Sequence, residues 1–214
     1  MELKEELKKA LVELRKTEER KFNQTVDLII NLQKFNVKKE TVNTFVILPF
    51  PIKEKKIAAF LETNFPSVET ITPDDFKRYN NKKELKKLVN KYDFFIAQAS
   101  VMPKVATTFG KVLGPAGKMP SPQLGIIMDA NEKTIKELKD RVNKSVKLRT
   151  KEPSLKLAVG KQNMKDEEII ENIMIIYNTV LKSLTKGNDN IKNIGVKFTM
   201  TKPIKIHLKW TFRK

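Results

Sequence analysis

The hydrophobic positions of this chain change period several times, and each change marks an element. Over residues 4–19, Leu7, Ala10, Leu11 and Leu14 recur at helical spacing among charges, which predicts an amphipathic helix covering a sheet. From Val26 the period drops to two. Val26, Leu28, Ile30 and Leu32 then share one side and Asp27, Ile29 and Asn31 the other, as in a strand with one buried face. A short apolar run, Phe45 to Leu48, is stopped by Pro49 and Pro51, where a boundary is expected.

Between about residues 53 and 144 short apolar runs alternate with helical stretches. Residues 57–61 and 94–97 predict buried strands, and residues 73–79, 82–90 and 131–142 predict helices, an order that implies a parallel sheet with helices on its faces. Alternation returns in residues 146–149 and 155–159. A helix from about Asp166 to Leu184 then carries Ile169, Ile170, Ile173, Ile176, Val180, Leu181 and Leu184 on its apolar side. In the last segment Ile194, Val196, Phe198, Met200, Ile204, Ile206, Leu208, Trp210 and Phe212 all fall on even positions. The simplest architecture is one domain from residues 1–52 and 145–214, with residues 53–144 inserted as a second α/β domain. Short crossings near residues 50–53 and 144–145 form a double hinge.

Charge narrows the function. Lys and Arg outnumber Asp and Glu by 43 to 25, and a formal charge of +18 is most naturally neutralised by a polyanion, nucleic acid first. The terminal segments carry +11 and the insert +7. Ile191 to Lys214 hold seven Lys or Arg and no acid; on a strand Lys197, Thr199, Thr201, Lys205, His207, Lys209 and Arg213 would line one surface, suited to phosphate and 2′-hydroxyl groups. A single lysine there is a guard of a solvated edge strand; the acid-free run in so basic a chain favours RNA. No run of about eighteen apolar residues is present and the N-terminus is charged throughout, so neither a membrane span nor a secretory signal is expected. Without cysteine, and with His207 as the only histidine, thiolate sites and most catalytic triads lack parts, and no cofactor or metal is expected.

The densest backbone punctuation is Phe109 to Pro122, FGKVLGPAGKMPSP, with three of seven glycines and three of ten prolines. A P-loop fails there because Met119 follows Gly117-Lys118, and the glycine spacing does not fit a dinucleotide fingerprint. Read locally, Gly114-Pro115 and Gly117 supply tight turns of a shaping loop, and Pro120 with Pro122 stiffens its exit.

The literal string Leu113-Gly114-Pro115-Ala116-Gly117-Lys118-Met119-Pro120 resembles the signature of the L-one family of large-subunit ribosomal proteins, the stalk proteins. Lys21-Phe22-Asn23-Gln24-Thr25-Val26-Asp27, Val159-Gly160-Lys161 and Lys197-Phe198-Thr199-Met200 extend the resemblance, in order and spacing, over nearly the whole chain. Lys202-Pro203 resembles archaeal or eukaryotic members more than bacterial ones. The resemblance implies a terminal α+β domain split between both chain ends, with an inserted doubly wound, Rossmann-like domain. It implies a cytoplasmic, non-enzymatic constituent of the large ribosomal subunit that binds large-subunit rRNA and forms a mobile stalk beside the exit site for deacylated tRNA. It also implies repression of its own mRNA.

The rRNA contact implied by the resemblance falls on Phe22, Thr199 and Met200, with Lys21, Lys161, Thr201 and Lys202 beside them, and on no catalytic or metal site. Gly114, Pro115, Gly117, Met119 and Pro120 identify the family. Thr201 departs from the pattern, standing where the family has a glycine that permits close RNA approach. Read from local pattern alone, Phe22 is either a core aromatic beginning a strand or, from its place before the alternation between Lys21 and Asn23, an exposed one, and Met200 is a core residue. His207 has no nucleophile or carboxylate arranged around it. Asp74-Asp75 and Glu167-Glu168 open predicted helices, where acidic groups meet the macrodipole. An enzyme using the inserted sheet, or a regulator binding messenger RNA alone, are the competing functions, and missing phosphate motifs count against the first.

Overall fold

The computed structural model describes residues 2–17, 20–37, 40–79 and 81–206. His207, Leu208, Lys209, Trp210, Phe212 and Arg213 lie outside the described residues, as do Glu18 and Glu19 at the end of the expected first helix. The fold is mixed α/β, and its contacts divide the chain into two compact units, Met1–Ile52 with Lys144–Lys214, and Lys53–Asn143.

In the first unit a four-stranded antiparallel sheet runs in the order β10-β9-β1-β8. Strand β1 (Thr25–Leu32), paired along both edges, alternates regularly, with Val26, Leu28, Ile30 and Leu32 buried and the residues between them half-buried. Strands β8 (Ser154–Lys161) and β9 (Ile191–Phe198) flank it, and β10 (Ile204–Ile206) closes the far edge. Helix α1 (Glu2–Arg15) buries Leu7, Ala10, Leu11 and Leu14, the residues its periodicity singles out. Helix α5 (Asp166–Ser183) buries Ile169, Ile170, Ile173, Ile176 and Val180 in the same core. Each fully buried side chain of this size contributes roughly 1.5–3 kcal/mol by removal from water. The two helices are fastened where Arg15 donates from Nε and Nη2 to Asp166 Oδ1, at 2.8 and 2.6 Å, and from Nη1 to the Gln162 carbonyl at 2.9 Å.

A two-stranded ribbon pairs β2 (Asn43–Ile47) with β7 (Ser145–Arg149), antiparallel. Leu48 N–H donates to the Lys144 carbonyl at 2.8 Å, so the chain leaves and re-enters this unit side by side. Asn172, polar on the buried side of α5, is satisfied there. Its Nδ2 donates to the Val159 carbonyl at 2.9 Å and the Phe50 carbonyl at 3.1 Å, which ties the exit segment to the core.

The second unit holds a parallel sheet in the order β4-β3-β5-β6, built from β3 (Ile57–Phe60), β4 (Glu69–Ile71), β5 (Phe94–Gln98) and β6 (Ile126–Ile127). Ala58, Phe60, Phe95 and Ala97 join one cluster with Leu85 and Leu88 of α2 (Lys82–Lys91) and Val105, Phe109 and Leu113 of α3 (Met102–Ala116). Phe60 stacks on Phe95 with ring centres 5.6 Å apart and meets Phe76 edge-on at 5.9 Å. Ile57, Ala59 and Ile96 alternate to the opposite face and are buried as well, as are Ile135, Leu138 and Val142 of α4 (Glu132–Lys144).

Two local expectations are corrected. The glycine–proline string is not a turn-filled loop up to Gly117: Gly110, Gly114 and Pro115 lie in α3, because Val105, Phe109 and Leu113 at four-residue spacing bury one side of a helix. Gly117, at φ 71°, ends it, with Gly117 N–H donating to the Gly114 carbonyl and Lys118 N–H to the Leu113 carbonyl. That closure needs a left-handed residue, which glycine adopts without a Cβ penalty. The second correction is at the C-terminal end of the first unit, where one alternating strand is not continuous. It stops at Phe198 and resumes at Ile204, so Thr199, Met200 and Thr201 form a turn, and Met200 is 63% exposed instead of buried.

Candidate nucleic-acid interface

The turn after β9 is closed by its own threonine. Thr201 N–H donates to the Phe198 carbonyl at 3.2 Å, and Phe198 N–H donates back to Thr201 Oγ1 at 2.9 Å. Thr201 therefore does what a glycine cannot, and the turn forms without one. Two further bonds dock it on the segment leading into β1. Thr25 N–H donates to Thr199 Oγ1 at 3.0 Å, and Met200 N–H donates to Gln24 Oε1 at 3.2 Å. Gln24 is 1% exposed, and its carbonyl accepts from Gln162 N–H at 2.8 Å, which brings the end of β8 to the same place. Lys161 completes the junction, its ammonium donating to Thr25 Oγ1 at 3.3 Å.

Three stretches far apart in sequence thus meet at one end of the sheet. Thr199, Met200, Lys161, Thr25 and Gln24 are joined by hydrogen bonds, and Lys21, Phe22 and Lys202 are exposed in the same segments. Phe22 is 50% exposed and Met200 63%, two large apolar side chains left in water on segments otherwise studded with cations. Beside the turn an open cleft of about 580 Å³ is lined by Glu13, Lys16, Arg20, Gln24, Met200 and Lys202, among others. Cations outnumber the one acid there. Sequence reasoning missed Lys16, Arg20 and Gln24 as site residues. Gln24 carried a signal, since it occupies the buried phase of the β1 alternation, where a polar side chain demands a partner.

Asp27 stands across from Lys197 on the outward side of the sheet. Burial pushes its carboxyl above the usual carboxylate range, and the Lys197 charge opposes that. The surface offers ammonium and guanidinium donors for phosphate oxygens, and apolar groups against which a splayed base can stack.

The signature residues Gly114, Pro115, Gly117, Met119 and Pro120 belong to the second unit. Their neighbour Lys118 shows what the string does there: its ammonium donates to the Val89 and Tyr92 carbonyls at 2.7 and 2.8 Å, closing the C-terminal end of α2. Asp75 is a capping residue, accepting from the Thr72 hydroxyl at 2.8 Å, and that bond holds its carboxyl below the usual range. Glu168 similarly accepts from Lys165 N–H at 3.4 Å ahead of α5. Among the described residues no group of three His, Cys, Asp or Glu could hold a metal ion, and no helix is long and apolar enough to cross a membrane.

Comparison with known proteins adds a relationship over most of the length. Residues 14–202 match the Ribosomal protein L1p/L10e family. The large ribosomal subunit protein uL1 of Methanothermococcus thermolithotrophicus is 37% identical over 95% of this chain and 98% of its own. The protein of the same name from Thermofilum pendens is 35% identical over 95% of this chain and 92% of its own, and that from Nanoarchaeum equitans 31% over 90% and 95%. With a family match that takes in parts of both terminal segments and the whole insert, and archaeal relatives aligned nearly end to end, this chain belongs to the Ribosomal protein L1p/L10e family.

Proposed function

We propose that this protein is a structural constituent of the large ribosomal subunit that binds large-subunit rRNA through the junction of the β1 entry, the end of β8 and the turn after β9. The observation that carries this reading is the pair Phe22 and Met200, half or more exposed on a hydrogen-bonded scaffold amid Lys21, Lys161 and Lys202. An apolar pair left in water costs solubility with no gain in folding, and it fits a surface that awaits bases. Membership of the family, and relatives named as large-subunit proteins and not as enzymes, support the same reading.

In this account the first unit is the rRNA-binding domain and the second is an inserted doubly wound domain, carried on two adjacent crossings. The protein works in the cytoplasm within the subunit, as a mobile stalk that contacts exit-site tRNA and assists release of deacylated tRNA. The same surface binds the protein's own mRNA and represses its translation. Support for these finer roles is the family resemblance and the +18 charge.

The test is titration against a folded large-subunit rRNA fragment and an unrelated hairpin at several salt concentrations. If Lys16, Arg20, Lys21, Lys161 and Lys202 each meet a phosphate, the logarithmic salt slope is roughly −3.5 to −4.5, so a fourfold rise in salt weakens binding by about one hundred- to five hundredfold. Equal affinity for both RNAs would remove the claim of specific recognition.

A further inference from the structure

Helix α2 of the second unit carries charge of nearly one sign. Its ten residues hold five lysines and one acid, Glu84 in the first turn. The other long helices mix the signs: α1 balances four cations with four acids, α4 sets three acids among five cations, and α5 has four acids to one lysine. Leu85, Leu88 and Val89 of α2 are buried, which turns Lys83, Lys86, Lys87 and Asn90 to the exposed side. Two neighbouring cations are already paired, Lys91 with Glu69 at 2.7 Å and Arg78 with Asp75 at 3.4 Å. Among the described residues no acid lies within ion-pair reach of Lys83, Lys86 or Lys87.

This arrangement costs the free helix stability. Lys83 stands in the first turn, at the positive end of the macrodipole, and Lys83 with Lys87, then Lys87 with Lys91, are like charges four residues apart. A side-chain cap offsets part of the cost, Lys83 N–H donating to Asn81 Oδ1 at 3.2 Å. A face kept only for solubility intersperses both signs, as α1 does. One that keeps three unpaired ammonium groups against their own repulsion fits a polyanion.

The chemistry of the face then separates RNA from an acidic protein. A protein partner is held by apolar or aromatic anchors at the centre of its interface, and the exposed large apolar side chains, Val12, Phe22, Ile47, Met128 and Met200, all lie outside α2. A phosphate backbone needs only the charges, because counterion release supplies its affinity. Lys83 and Lys87 are about 6 Å apart along the helix axis, with Lys86 beside them, so one strand can meet all three.

We propose that the outward face of α2 is an RNA-contact surface of the second unit, in which Lys83, Lys86 and Lys87 meet backbone phosphates and read no sequence. The proposal rests on the rRNA reading above and adds a contact made by residues other than those of the junction at Met200.

The experiment is titration of the full-length large-subunit rRNA, across a salt series, with the whole protein and three variants, each also melted thermally. Lys83→Gln with Lys86→Gln and Lys87→Gln should flatten the salt slope by about 2.1–2.7 and should melt at or above the wild-type temperature, since it removes the like-charge pairs. Lys104→Gln with Lys111→Gln and Lys133→Gln, which takes the same charge from exposed positions on α3 and α4, should leave the slope nearly unchanged. Met200→Ala reports on the junction. A second measurement needs no substitution: acetylation of surface amines on wild type, read by mass spectrometry, should slow severalfold at Lys83, Lys86 and Lys87 when the rRNA is bound. If Met200→Ala weakens binding while the α2 variant keeps the wild-type slope and the three amines stay reactive, the rRNA reading stands and the α2 proposal is overturned. A control variant that flattens the slope as much would mean that charge anywhere on the unit suffices, and would overturn it too. If wild type does not bind the rRNA, both readings fall. Amines protected by poly-glutamate and not by the rRNA would assign the face to an acidic protein and also overturn the proposal.

Discussion

Thr199→Val removes one oxygen and keeps the side chain's shape, so it isolates what that hydroxyl does. Local pattern and family resemblance together offer the hydroxyl to RNA, but in the folded chain it accepts from Thr25 N–H at 3.0 Å and docks the turn on the β1 entry. Valine leaves that N–H without its acceptor. Thr25 is only half-buried, so water replaces part of the bond, and the net cost is about 1 kcal/mol. For a chain of this size that lowers the melting temperature by roughly 2–4 °C. The bond from Met200 N–H to Gln24 Oε1, 3.2 Å, then remains to dock the turn on the β1 entry. A looser turn presents Met200 less well, and about 1.4 kcal/mol of lost preorganisation corresponds to a tenfold weaker RNA complex. Thr199→Ser restores the acceptor and should recover both stability and affinity. The assay is thermal melting by circular dichroism beside titration of the rRNA fragment. Wild-type melting with weakened binding in Thr199→Val would mean that the hydroxyl touches RNA directly, and a Thr199→Ser variant as damaged as valine would mean that the methyl group matters instead; either result refutes the docking argument.

Lys118→Met should destabilise the protein by roughly 1.5–3 kcal/mol, since it strips charged donors from the Val89 and Tyr92 carbonyls, and Gly117→Ala by about 1–2 kcal/mol through its left-handed φ; denaturant melts check both, and neither should alter RNA affinity. Replacing residues 53–143 by a short Gly/Ser connector should leave a folded RNA binder, because Leu48 N–H already bonds the Lys144 carbonyl and the buried cluster of the first unit is built from residues of the two terminal segments. A folded but non-binding product, judged by circular dichroism and titration, would move the contact to the insert. Burial pushes Lys55 down to about 8, so the unfolded chain binds its proton more tightly than the folded one. The resulting destabilisation is fully present below pH 8 and is relieved as pH rises toward the unfolded value of 10.5. The melting temperature of Lys55→Met minus that of wild type should accordingly shrink between pH 7 and pH 10.

Elements with one buried face were legible from period alone. Leu7, Ala10, Leu11 and Leu14 in α1, the even residues of β1, and the isoleucines of α5 are buried as their spacing dictates. Helix α3 was not, because Gly110, Gly114 and Pro115 read as breakers while the helical spacing of Val105, Phe109 and Leu113 was hidden among them. The turn at Thr199 was hidden for a different reason. Val196 pairs with Ile204 and Ile194 with Ile206, so even positions face even positions across the hairpin and the alternation runs through the turn unbroken. Parity thus placed Met200 in the core. The site itself depends on bonds such as Thr25 to Lys161 and Gln24 to Met200, 136 and 176 positions apart, which no local window can see. Phe22, Thr199 and Met200 came from the family motifs, whereas the role of Gln24, which accepts from the Met200 and Gln162 N–H groups, needed the fold.

The central claim is that exposed Phe22 and Met200 read the RNA. It is tested most directly by one titration of the large-subunit rRNA fragment and an unrelated hairpin with wild type and with Phe22→Ala combined with Met200→Ala. Each side chain is half or more exposed, so the double variant should melt as wild type. Stacking contributes about 1–3 kcal/mol per base, so affinity for the rRNA fragment should fall at least thirtyfold, by order of magnitude, while the weak binding to the hairpin, set by charge, stays the same. A folded double variant that binds the rRNA fragment as tightly as wild type would contradict the account.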